Sequence, residues 1–292
     1  MTKQTSAKLI VNGVGVIAAA IVVGWTALSF FEDKSAKVCE GRYASSTRFA
    51  LSDESGAALP ISSLQARVGA SEWGVLDNSR IIEGAEGSRS KHVLQVDLAK
   101  ETGSGHKPSQ TRGGVTFSWQ PMEMQADAPS VACLTYQVFL PEDFAFASAG
   151  ALPGLFFGKT FDARGEPAIG MGAVARLGWN REGALAVNLQ YAGKDGWQNP
   201  AILTSKAKWP LGRWVSVEEE IILNEVGKKD GVIRVWLDGE LAGENVRLGL
   251  RSDPGLTMAG VLADVHFGTV SNASLAPKDL QIQLSPFVIR WQ

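Results

Sequence analysis

The chain has 292 residues, 45% of them hydrophobic and 20% charged, with a formal net charge of -2 and a pI near 6.0. That is enough apolar material for a full core, and there is no concentrated basic character. Nucleic-acid binders carry such a surface, so no nucleic-acid partner is expected.

The first element is the run LIVNGVGVIAAAIVVGWTALSFF, in which no residue from Leu9 to Phe31 is charged. It exceeds the roughly 20 apolar residues that cross a hydrocarbon layer. Lys3, Lys8 and the terminal amine precede it, while Glu32, Asp33, Lys34 and Lys37 follow. The positive-inside bias therefore weakly favours a cytoplasmic N-terminus. The predicted organisation is a cytoplasmic tail over 1–8, a single transmembrane anchor over 9–31, and one extracytoplasmic domain over 32–292. In a bacterium this is a single-pass inner-membrane protein with its domain in the periplasm. A cleavable signal peptide is the rival, but its apolar region runs to about 7–15 residues before a small-x-small site. Here the clear small-residue triplet, Ala18-Ala19-Ala20, falls inside the run.

Cys39 and Cys133 are the two cysteines of the chain. An even count in an oxidising compartment fits one disulfide tying the segment after the anchor to a later strand. The alternative is two unrelated thiols, with Cys133 a small core residue in VACLTYQVF.

Beyond the anchor, strand-like runs bounded by Gly, Pro, Asn or Asp recur: KHVLQVDLA, GGVTFSWQP, VACLTYQVFLP, GALAVNLQY, RWVSVEEEIIL, GVIRVWLDG, GVLADVHFG and DLQIQLSPFVIRW. About a dozen strands without a long helical period or a second domain boundary predict a two-sheet sandwich. Lys229-Asp230-Gly231 starts one strand and Leu237-Asp238-Gly239-Glu240 ends it, because Asp-Gly pairs supply the positive φ that hairpins need. The least ordered stretch is expected to be ETGSGHKPSQTR, Glu101 to Arg112.

From Cys133 onward, the segments CLTYQVFLPEDFAFASAGALPGLFFG, ARLGWNREG, GRWVSVEEEIILNEVGKKDGVIRVWLDGEL, HFG and APKD (Ala276 to Asp279) resemble the alginate-lyase-like polysaccharide lyase family 14. The resemblance implies an all-β, two-sheet jelly-roll sandwich of the concanavalin-like class, and β-elimination on a uronate-containing polysaccharide. That reaction needs a group that neutralises the sugar carboxylate, a base for the α-proton and an acid for the leaving oxygen. The family meets these needs with a lysine in a G-G-K-L-P-G loop, a Ser-x-Arg pair on one strand and a Tyr-x-Tyr pair on the next. In this chain the loop reads Ala149-Gly150-Ala151-Leu152-Pro153-Gly154, with Ala151 at the lysine position. The Ser-x-Arg position reads Val174-Ala175-Arg176, and the Tyr-x-Tyr position reads Leu189-Gln190-Tyr191. The resemblance thus implies a glycan-handling domain whose lyase chemistry is lost or altered, retaining Arg176 and Tyr191 on one cleft.

Each candidate has an ordinary alternative. Arg176 neutralises a uronate or hydrogen-bonds a hydroxyl, or else forms a structural ion pair with Glu218, Glu219 or Glu220. Tyr191 stacks on a sugar or serves as an acid, or else simply packs. Lys159 and His266 lie near matched segments and are candidates to replace the lost base, or else are a solvated lysine and a hydrogen-bonded histidine. Trp197 and Trp209, in the polar stretch GKDGWQNPAILTSKAKWP, are candidate sugar platforms, whereas Trp214 and Trp236 fall at framework positions. Glu218-Glu219-Glu220 alternate faces on a strand and have no Asp-x-Asp loop beside them, so no metal is expected, nor any cofactor. The expected partners are a polysaccharide, the inner membrane through the N-terminal helix, and a polysaccharide synthase or export complex. The expected role is accessory to exopolysaccharide synthesis, export or retention. The competing roles are an active lyase and a structural subunit of a membrane complex. An open, aromatic-walled groove on the site sheet favours a sugar-handling role, and a filled face favours the structural one.

Overall fold

The computed structural model describes residues 39, 41–69, 72–105, 111–122, 129–158, 172–193, 196–268 and 274–292. The apolar run from Leu9 to Phe31, the tail before it and Lys159 lie outside these residues. Among the described residues no helix is long and apolar enough to cross a membrane.

In chain order the strands begin with β1 (Ser45–Arg48), β2 (Ser79–Glu83), β3 (His92–Leu98), β4 (Val115–Trp119), β5 (Val131–Leu140) and β6 (Gly150–Gly158). They continue with β7 (Gly172–Trp179), β8 (Ala184–Gly193), β9 (Gly196–Gln198), β10 (Ala201–Lys208) and β11 (Arg213–Ile222). The last are β12 (Gly231–Leu237), β13 (Glu240–Leu248), β14 (Met258–Phe267), β15 (Leu280–Leu284) and β16 (Val288–Trp291). One short helix, α1 (Ile61–Val68), follows β1 and packs through Leu64.

Two antiparallel sheets result. The first runs β13-β12-β11-β5-β15-β3-β2, with β16 paired to β5 and β1 paired to β16; the second runs β10-β8-β7-β6-β14-β4, with β9 on β8. Alternate residues of both sheets meet in one core: Tyr136 and Val138 of β5 and Val217 and Ile221 of β11 face Leu155 of β6 and Ala175 and Leu177 of β7. At one edge the sheets are tied by Asn245 of β13, which donates to the Ile202 carbonyl of β10 at 2.8 Å. This arrangement is consistent with a jelly-roll sandwich.

The runs read as strands from their alternation are strands, and the Asp238-Gly239 turn joins β12 to β13 with φ of 52° and 83°. One expectation is corrected. The segment carrying Ala151 is not a loop but the start of β6, a strand hydrogen-bonded on both sides. Pro153 has no N–H to give the ladder, and the strand absorbs this as a bulge rather than ending.

The first sheet also holds the first described residues. Cys39 and Cys133 form a disulfide with Cα atoms 6.1 Å apart. The Cys39 N–H donates to Glu218 at 2.8 Å, and Arg42, Tyr43 and Arg234 all engage Glu220. Glu218 and Glu220 therefore face outward beneath this segment, while Glu219 between them faces the core.

Candidate functional site

The outer face of the second sheet carries the polar residues. On β7, Ala173, Ala175 and Leu177 enter the core, which leaves Val174 and Arg176 on the outer face. On β14 the same alternation sends Ala263, Val265 and Phe267 inward and leaves Leu262, Asp264 and His266 outward. The upper part of this face is apolar, formed by Phe156, Val174, Ala259 and Leu262. The lower part is a network centred on Asp264.

Arg176 Nε lies 2.7 Å from Asp264 Oδ2, close enough for an ion pair although not aligned as a hydrogen bond. His266 Nε2 lies 3.1 Å from Asp264 Oδ1, which also accepts from the Thr116 hydroxyl at 2.7 Å. The Thr116 oxygen in turn accepts from Arg112 at 3.0 Å, and that guanidinium sits 4.8 Å from the centre of the Trp73 ring. His266 Nδ1 lies 3.0 Å from the Phe267 carbonyl. Arg176, His266 and Asp264 are only 5%, 4% and 1% exposed. Burial works to raise the Asp264 pKa, but the Arg176 charge, followed by His266 and the Thr116 hydrogen bond, overcomes it and holds the carboxyl far below the usual carboxylate range.

β6 lies between β7 and β14, so the Arg176–Asp264 pair crosses over it. At the crossing Pro153 and Gly154 oppose the single residue Arg176, and on the other flank the register breaks between Leu262 and His266. Gly154 is required here, since a Cβ would lie 1.9 Å from the Ala175 carbonyl oxygen.

Three sequence expectations are corrected at this site. Arg176 pairs with Asp264, an outward-facing residue of its own sheet, and not with the Glu218–Glu220 run, which belongs to the opposite sheet. Tyr191 and Leu189 do not share its face: they stand opposite Ala173 and Ala175 and pack toward the core, so Asn188 and Gln190 are the neighbours of Arg176 and Val174. Tyr191 instead borders a separate cleft of about 450 Å³ with Phe157, Ile202 and Leu248. Trp209 is 3% exposed and donates its indole N–H to the Gly178 carbonyl at 2.9 Å, so it is a packing residue and not a sugar platform. The Trp197 side chain lies outside the described residues. His266 does reach the site: it stands in register with Ala151. The space among Ala151, Arg176, Asn188, Asn199 and His266 is about 10 Å³, room for no more than a single water.

Asp264 and Gln190 are the members that sequence reasoning missed. Gln190 is 0% exposed, and among the described residues neither amide atom has a partner. Among the described residues the sulfurs of Cys39 and Cys133 and the Glu218 carboxylate lie within 4.8 Å of one another, but the sulfurs are bonded to each other and leave no thiolate for a metal.

The two antiparallel sheets are consistent with a jelly-roll sandwich, and the Arg-Asp-His network lies on the outer face of the second. The profile of polysaccharide lyase 14 matches residues 86–287, and the chain belongs to that family. Among solved structures it is similar to the marine alginate lyase from Aplysia kurodai, with a TM-score of 0.65 and 21% identity, covering 85% of this chain and 100% of that one. It is also similar to alginate lyase vAL-1 from Chlorella virus, with a TM-score of 0.60 and 19% identity over 74% of this chain and 90% of that one. A third, the endo-beta-1,4-glucuronan lyase from the fungus Trichoderma reesei, has a TM-score of 0.53 and 10% identity over 77% of this chain and 90% of that one. At these identities the likeness is one of fold. No curated protein sequence matches the chain.

Proposed function

We propose that this protein is a membrane-tethered, extracytoplasmic polysaccharide-binding member of the lyase family that does not cleave its glycan, acting as an accessory to exopolysaccharide synthesis, export or retention. The observation that carries the non-cleaving part of the reading is the buried Arg176–Asp264 pair. Family membership supports the glycan-binding part, whereas the filled face around the pair, with room for no more than a single water, favours the structural-subunit role. A guanidinium whose charge is already matched by a carboxylate held ionised beside it is a poor neutraliser of a sugar carboxylate, the first requirement of β-elimination. Ala151 and Val174, standing where the family carries lysine and serine, support the same conclusion. The uncharged run from Leu9 to Phe31 supports the tether, and the Cys39–Cys133 bridge supports an oxidising compartment.

Two experiments test this. Full-length protein in detergent, presented with a panel of acidic and neutral polysaccharides, is expected to bind at least one of them. Binding to none favours the structural-subunit role. A reporter enzyme active only outside the cytoplasm, fused after Gln292, is expected to be active while the protein retains residues 1–31; a mature N-terminus near Lys34 contradicts the tether.

A second reading, an active lyase with a relocated base, is favoured by one observation. His266 stands opposite Ala151 and against Asp264, where an imidazole reaches the region the lysine serves in the family. On that reading His266→Ala abolishes formation of an unsaturated sugar by a protein that otherwise forms it.

A further inference from the structure

Among the described residues, the core contains one acid that the network above does not use. Glu219 lies on β11 between Val217 and Ile221, a position where an apolar side chain is the default, yet it is wholly buried between the sheets. Burial pushes its carboxyl well above the usual range, against the opposing effect of the Leu155 N–H. Such a group persists in a core only where something there requires it.

The requirement lies across the core, in β6. The bulge at Pro153-Gly154 takes backbone groups out of the ladder. The Pro153 carbonyl accepts from the Tyr136 hydroxyl of β5 at 3.1 Å, and the Leu155 N–H donates to Glu219 Oε2 at 2.8 Å. Both partners come from the opposite sheet and grip the bulge on either side of Gly154. That is the point over which Arg176 and Asp264 meet. On its outer side β11 is held by Glu218 and Glu220 through the Cys39 N–H, Arg42 and Arg234. A one-residue slip of β11, which would turn Glu219 outward, would break all of these at once.

We propose that Glu219 is a positioning residue for the candidate site: together with Tyr136 it fixes, from the opposite sheet, the β6 bulge on which the Arg176–Asp264 pair is registered. The importance of this for glycan binding rests on the function proposed above; the positioning itself does not. Tyr136 is itself tied electrostatically to Glu219.

The test is amide hydrogen exchange in full-length protein, comparing segments 150–158 and 173–179 with the remote β3 segment, alongside the NMR signal of the Arg176 Nε–H. Glu219→Gln keeps an oxygen for the Leu155 N–H and is expected to leave both readouts as in the wild type. Glu219→Leu removes the acceptor and is expected to speed exchange in the two site segments by about tenfold, the cost of one lost buried hydrogen bond, with β3 unchanged. It is also expected to displace the Arg176 signal. Tyr136→Phe, which removes one oxygen and no packing, is expected to speed exchange in 150–158 and provides the reading if Glu219→Leu does not fold. Site segments unaffected in Glu219→Leu, or in Tyr136→Phe where that variant is used, overturn the proposal, as does a Glu219→Gln variant as perturbed as Glu219→Leu. All of these results are read without a ligand, so a failure to bind any glycan is a separate finding.

Discussion

Asp264→Asn is expected to destabilise the domain by about 3–5 kcal/mol, because it leaves the buried Arg176 guanidinium facing a neutral amide. For a domain of this size each kcal/mol moves the midpoint by roughly 2–4 °C, so thermal unfolding should show a fall on the order of 10 °C. The pH dependence follows from the depressed Asp264 pKa. The folded-state value lies below the unfolded one, near 3.9, so the unfolded chain binds the extra proton. The stabilisation is therefore fully present above about pH 4–5 and is lost as the pH falls toward the folded-state value. The gap between wild type and Asp264→Asn should accordingly narrow in acid. Replacing both partners, Arg176→Met with Asp264→Leu, should recover much of the loss, since apolar pairs often match or exceed buried ion pairs. A midpoint unchanged within a degree in the single variant would show that the pair is not formed in solution.

The disulfide is the second large term. Cys39 and Cys133 are 94 positions apart, and cross-linking so long a loop removes denatured-state entropy worth about 4–5 kcal/mol in the chain-entropy model, within a usual range of roughly 2–5 for native bridges. The loss is compounded here because the bridge holds the segment that partners Glu218 and Glu220, both of them buried. Cys39→Ser with Cys133→Ser, or full reduction, should lower the thermal midpoint by ten degrees or so on the same scaling. Oxidised native protein should offer no thiol to an alkylating reagent. Two reactive thiols and an unchanged midpoint would contradict the bridge.

Glu219 titrates with the opposite sign. Its folded-state pKa lies above the unfolded value, so its contribution is fully present below about pH 4.3 and is lost as the pH rises through the folded-state pKa. Glu219→Gln cannot ionise. Its midpoint relative to wild type should rise between pH 5 and pH 8, and a parallel pair of curves would mean that Glu219 keeps its ordinary affinity for protons.

The sheets were legible wherever apolar and polar residues alternate, as in KHVLQVDLA or DLQIQLSPFVIRW, because the period of two is imposed by the core itself. The same rule, applied strictly to ALAVNLQY, would have placed Leu185, Val187 and Leu189 inward and Asn188 and Gln190 outward. Alignment to the family's tyrosine pair pointed one residue away, and a one-residue offset in a strand exchanges its faces. Asp264 and His266 alternate in the same way within LADVHF, a visible polar face, but nothing local marks Arg176, 88 residues earlier, as the partner of Asp264. β6 was hidden for a different reason. Gly150, Pro153 and Gly154 read as a loop, and the partners that take up the backbone groups at its bulge, Tyr136 and Glu219, come from the opposite sheet, where no local pattern shows them. Likewise no pattern in GKDGWQNPAILTSKAKWP distinguishes a buried Trp209 from an exposed one.

The measurement that bears most directly on the central claim follows the absorbance of the unsaturated sugar during prolonged incubation of full-length protein with alginate and with glucuronan. The Arg176–Asp264 pair and the alanine at position 151 predict no product above a control without protein, whether or not the polymer binds. Steady formation of a 4,5-unsaturated product that disappears in His266→Ala would contradict the claim and establish His266 as the base of a working lyase.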